Sequence, residues 1–76
     1  MDKKNIQYGE LRNKIIEWFD TKKNIKNTIN GFYNEFVKET NIQVSNMYFY
    51  MVVEYLVGKG ILKELQAGKV RIVWRE

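Results

Sequence analysis

The chain predicts an α+β domain in which three helices are followed by a two-stranded β-hairpin, and three observations carry that prediction. Apolar residues recur at three-four spacing in three separate stretches, a serine stands at the head of the third, and beyond two glycines the rhythm changes to alternation. With 76 residues the chain makes one domain. A domain of that size buries only about 60% of the surface of its unfolded chain, so its core must be efficient. Nine aromatics stand at pattern positions: Tyr8, Trp18, Phe19, Phe32, Tyr33, Phe36, Phe49, Tyr55 and Trp74. Each can contribute a large buried area.

Residues 1–7 are polar and read as a flexible N-terminal arm, which leaves 8–76 as the domain. The first helix draws on residues 8–23: Tyr8, Leu11, Ile15, Trp18 and Phe19 form one stripe, while Glu10, Arg12, Asn13, Lys14 and Glu17 fall on the other faces. The polar segment DTKKNIKN interrupts that stripe, with Ile25 as its only apolar side chain. Thr28 then caps a second helix carrying Ile29, Phe32, Tyr33, Phe36 and Val37. Gly31 inside it costs on the order of 1 kcal/mol relative to alanine. Residues 41–44 form a turn, and Ser45 offers a hydroxyl to an N–H of the next helix that would otherwise lack a partner. Phe49, Val53 and Leu56 make the buried stripe of that third helix, and Gly58 and Gly60 permit the left-handed backbone that stops it.

In the last strand Val70, Ile72 and Trp74 alternate with Lys69, Arg71, Val73 and Arg75, which gives one apolar face and one mostly basic face. Gln66, Ala67 and Gly68 read as the short loop before it.

This pattern resembles the winged helix-turn-helix family. In that family a hydrophobic residue and a serine precede the recognition helix, and a leucine four residues before a glycine leads into the wing. Val44, Ser45, Phe49, Val53, Leu56, Gly60, Ile61 and Leu62 fill those positions. The resemblance implies a winged helix over residues 8–76, with a short strand between the first two helices pairing with a stubby wing. It also implies DNA binding, although members of the family also dock proteins or hold single strands, so the site is argued separately.

No His and no Cys occur, so the usual general base, thiol nucleophile and preferred transition-metal ligands are missing. Neither disulfides nor a cysteine-ligated zinc can brace the fold. The GKG at 58–60 follows a helix instead of opening one and cannot offer a helix N-terminus to phosphate. The expectation is a non-enzymatic protein with no cofactor, no metal and no small-molecule substrate. No apolar run approaches the ~20 residues of a membrane span, and the N-terminus lacks the apolar core of a signal peptide. A cytoplasmic protein is expected.

The formal charge of +4 and the pI near 9.4 favour a polyanion. Lys22, Lys23 and Lys26 cluster after the first helix, and Lys59, Lys63, Lys69, Arg71 and Arg75 gather in the wing region. About five phosphate contacts from this set would give a log-log salt slope of about −4 to −5 on duplex DNA. On the recognition helix the outward positions are Asn46, Met47, Tyr50, Met51 and Glu54, none of them Arg or Lys. Asn46 is the ordinary base reader among them, with Tyr50 beside it, and Glu54 is expected to repel phosphate. Met47, Tyr48, Tyr50 and Met51 make an apolar surface that asks to be covered. A protein partner or second copy could cover it, single-stranded bases could stack on Tyr48 and Tyr50, or the first helix or N-terminal arm could fold over it. A homodimer could set two recognition helices about 34 Å apart on a palindrome.

The sequence therefore points first to a small stand-alone DNA-binding regulator or accessory factor. Its size and composition suit a plasmid, phage or other mobile element, with transcription regulation or DNA replication as its setting. The competing expectation is an interaction subunit that docks on a larger replication or nucleic-acid enzyme through the aromatic helix and adds single-stranded DNA binding.

Overall fold

The computed structural model describes residues 8–76, and the expectations placed on residues 1–7 and on the Tyr8 side chain lie outside what it describes. Three helices, α1 (Tyr8–Asp20), α2 (Ile29–Thr40) and α3 (Asn46–Gly58), precede an antiparallel hairpin of β1 (Lys63–Ala67) and β2 (Val70–Trp74). The α+β arrangement is consistent with the topology of a winged helix.

The first helix stops at Asp20, three residues short of the stretch that the stripe allowed. The N–H groups of Thr21 and Lys22 bond to the carbonyls of Trp18 and Phe19, which tightens the last turn, and Asn24 takes a left-handed φ of 66° that redirects the chain. Asn27 then pairs with Val73 and Lys23 with Arg75, so the expected short strand exists as two isolated bridges along the edge of β2. The other edge of the hairpin, β1, is exposed throughout.

Both predicted caps form. Thr28 Oγ1 accepts the Gly31 N–H at 3.0 Å, and Ser45 Oγ accepts the Tyr48 N–H at 3.0 Å. Gly31 has a packing reason for its place in α2: a Cβ there would lie 2.7 Å from Asn27 Cγ, and the Asn27 amide is engaged by the Thr28 N–H and Glu35. Asn41, at a φ of 55°, closes α2 with its N–H on the Val37 carbonyl. At the end of α3 only Gly60 is left-handed, with a φ of 79°, whereas Gly58 is still helical. The helix therefore ends at the first glycine, and the left-handed residue follows two positions later.

Trp18, Phe19, Phe32, Phe36 and Phe49 meet largely edge-on, with centroids between 5.0 and 6.1 Å apart, and Leu11, Ile15, Val53 and Leu56 fill the space around them. Val52 joins the buried face of α3. Of the eight pattern aromatics whose side chains are described, five are buried and Tyr33 packs half-buried against the core, whereas Tyr55 is exposed and Trp74 is half-buried.

The hairpin corrects the sequence reading most. Its loop is Gly68 and Lys69, since Gln66 and Ala67 pair with Arg71 and Val70 inside the ladder, and Gly68 supplies the left-handed φ of 62°. The face that turns inward is the one carrying Arg71, Val73 and Arg75: Val73 is fully buried while Val70 is half exposed. A buried valine flanked by two arginines fits because the guanidiniums reach past the rim of the core to carboxylates on α1, α3 and β1. The apolar Leu65, Val70, Ile72 and Trp74 lie on the outward face.

Candidate nucleic-acid interface

The Ser45 cap and the four buried residues Phe49, Val52, Val53 and Leu56 fix the rotation of α3, and so decide which side chains it offers outward. Met47 is 73% exposed, Met51 60% and Tyr50 45%. Tyr48 is half-buried and packs against the core. The four residues expected to bind a partner thus divide into three that face outward and one at the margin.

Two polar side chains of α3, Asn46 and Glu54, are bonded within the protein. Asn46 Nδ2 donates to Asn30 Oδ1 at 3.1 Å. Glu54 Oε1 accepts from Arg71 at 2.6 Å, and the same guanidinium reaches Glu64 Oε1 at 2.8 Å. This hydrogen bond from Arg71 is the largest reason that the Glu54 carboxyl titrates below its usual range, with Tyr50 adding to it against the opposing effect of burial. Glu54 and Glu64 in turn hold Arg71 in its charged form. The Glu54 charge, expected to repel phosphate, is offset in part by a neighbour 17 residues away in sequence, which it shares with Glu64.

Three of the expected phosphate ligands are occupied in a similar way. Arg71 spans α3 and the hairpin. Arg75 Nε donates to Asp20 at 2.9 Å and its Nη1 to the Ile61 carbonyl at 3.4 Å. Lys22 lies 2.8 Å from Glu39, 3.9 Å from Glu35 and 5.3 Å from the Trp18 ring centroid. Glu39 is held below the normal carboxylate range chiefly by that lysine and next by the Trp18 indole N–H. These cations bind the fold to itself.

The remaining lysines of the expected set have no carboxylate within ion-pair distance among the described residues. Lys23 is exposed where its backbone meets Arg75, Lys63 and Lys69 stand on the hairpin and its tip, and Lys26 lies over the Trp74 ring at 4.6 Å. Lys59 and Arg12 both lie over the Tyr55 ring, at 5.7 and 5.3 Å. Arg12 is absent from the sequence-derived set, and no pattern in the chain pairs it with a tyrosine 43 residues later; Lys59 could have been placed there by its four-residue offset from Tyr55.

Among the described residues no three His, Cys, Asp or Glu side chains gather as a metal site would require, and no helix is long and apolar enough to cross a membrane. A shallow depression of about 220 Å³ between α1 and the end of α2, lined by Lys14, Glu17, Trp18, Thr21, Thr40 and Ile42, is separate from the α3 and hairpin residues. Compared with protein-family models, curated proteins and solved structures, the chain matches none.

Proposed function

We propose that the protein is a non-enzymatic DNA-binding factor of the cytoplasm, a regulator or replication accessory of a plasmid, phage or other mobile element. It meets phosphates with the lysines around its hairpin. One observation carries the reading: Arg71 bridges Glu54 and Glu64 and offsets part of their charge, and Arg75 pairs with Asp20, while Lys23, Lys26, Lys59, Lys63 and Lys69 have no carboxylate partner among the described residues. Local repulsion of a polyanion is thereby reduced, and local attraction left in place. The binding set differs from the one read in the sequence, since Lys22, Arg71 and Arg75 would each have to leave a carboxylate to hold a phosphate.

The test is fluorescence anisotropy on labelled duplex and single-stranded DNA across a salt series. Lys63→Ala with Lys69→Ala should flatten the log-log slope by about 2 on duplex DNA without unfolding the protein. An unchanged slope in a chain that does bind would remove the hairpin from the interface.

A second reading, an interaction subunit of a larger nucleic-acid enzyme, is favoured by the exposure of Met47, Tyr50 and Met51. Under it Tyr50→Ala with Met51→Ala abolishes partner capture and the hairpin lysines are nearly silent. Single-strand preference in the same titration would favour base stacking over both.

A further inference from the structure

We infer that α3 reads duplex DNA through the C5-methyl groups of thymine, with Met47 and Met51 as the reading side chains, so that the protein prefers sites rich in A·T pairs. The inference rests on the DNA-binding reading above and names what its recognition helix would recognise.

Hydrogen-bonded reading of bases is largely closed to α3. A side chain that distinguishes bases by hydrogen bonding needs free donors or acceptors, and two of those on this helix are engaged: Asn46 with Asn30, and Glu54 with Arg71. A base contact from Asn46 would first give up an internal bond. Met47 and Met51 have no such commitment, and they are the two most exposed large apolar side chains described. Their thioether chains are flexible and polarizable, and adapt to an apolar surface.

In the major groove the one apolar feature on a base edge is the thymine methyl, which neither cytosine nor guanine presents. Met47 and Met51 are one helical turn apart, about 6 Å along the axis. Successive base pairs rise by about 3.4 Å, so the two side chains match methyls about two steps apart. An apolar face could also suit a protein, but the surroundings favour a polyanion. Lys59 follows α3 directly, Lys63 and Lys69 belong to the hairpin whose Arg71 is bonded to α3, and the acidic group on this part of α3, Glu54, is paired with that arginine. Apolar readers on a helix joined to this basic hairpin fit a groove whose floor carries methyls and whose walls carry phosphates.

Replacing thymine by deoxyuridine deletes that methyl and leaves the pairing edge intact. Four duplexes of one length are compared by anisotropy with the full chain at low salt: an A·T-rich sequence, the same sequence with deoxyuridine for thymine, and a G·C-rich sequence with and without 5-methylcytosine. Removing one buried methyl contact should cost about fourfold in affinity and two about fifteenfold, and 5-methylcytosine should recover part of the difference on the G·C duplex. Met47→Ser with Met51→Ser should bind thymine and uracil duplexes alike at an unchanged salt slope, whereas Met47→Leu with Met51→Leu should keep the preference. Both variants alter exposed positions, and circular dichroism checks their fold.

Equal affinity of the native chain for thymine and uracil duplexes, with salt-sensitive binding intact, overturns the methyl reading and leaves DNA binding standing. No binding to any duplex at low salt overturns both. A thymine preference that survives in the serine variant places the reader elsewhere and overturns the assignment. So does a serine variant whose DNA affinity is unchanged but whose self-association, followed by light scattering, is lost.

Discussion

The helical body and the hairpin are held by different physics. The body is dry: five interlocking rings and their aliphatic neighbours, joined at the rim by Lys22, Glu39 and the Trp18 indole N–H. The hairpin rests on one fully buried side chain of its own, Val73, on two bridges to the α1–α2 connection, and on arginines that reach carboxylates on other elements. Apolar burial is indifferent to salt and pH, whereas ion pairs with side chains a fifth to a half exposed are screened. The body therefore sets whether the chain folds. The hairpin sets how its lysines and the outward face of α3 are presented.

The largest effect should come from the body. Phe36→Ala removes a ring that touches both Trp18 and Phe49 and should cost about 3–5 kcal/mol, a large part of what a small domain possesses. Urea unfolding followed by tryptophan fluorescence should show little or no cooperative transition. A loss below about 1 kcal/mol would mean that the body is not the rigid half.

Val73→Ala should cost less, about 2 kcal/mol, and act locally. Hydrogen exchange should rise at β2 and at Asn27, whose N–H is bonded to the Val73 carbonyl, before it rises in α2. Val70→Lys, one register position away from that face, should change stability by less than about 0.5 kcal/mol. If the two variants were equally costly, the assignment of the inward face would be wrong.

The smallest effect belongs to the ion pairs. Arg71→Met should cost about 1 kcal/mol or less near neutral pH, because both carboxylates it serves are substantially exposed. Its sharper signature is in acid. The folded pKa of Glu54 and of Glu39 lies below the ordinary 4.5, so the stability each contributes is present above that pH and is lost as pH falls through the lowered value. With no histidine in the chain, stability should be flat from about pH 6 to 8. Below about pH 4.5 the native chain should lose stability faster than Arg71→Met does, and parallel acid limbs would show that Arg71 is not the cause.

Much of this was legible in the residues, for local reasons. The three helices, the Thr28 and Ser45 caps, the turn at 41–44 and the left-handed Gly60 and Gly68 depend on neighbours within four residues, and the sequence displays them directly. The exposure of Met47, Tyr50 and Met51 followed from the same periodicity. The hairpin was harder, because alternation marks two faces without saying which is inward. The apolar trio Val70, Ile72 and Trp74 outnumbers Val73 in the sequence, yet in space Val73 is the one that packs into the core, while Arg71 and Arg75 beside it reach Glu54 and Asp20.

The sequence by itself determined the order of the elements, the residues that cap them and the face that α3 buries, since each is a matter of short-range spacing and backbone preference. Only the tertiary structure decided which cations remain available. Ion pairs such as Arg75 with Asp20, 55 residues apart, and Arg71 with Glu54, 17 apart, depend on how the elements pack, and no local pattern encodes a charge's distant partner.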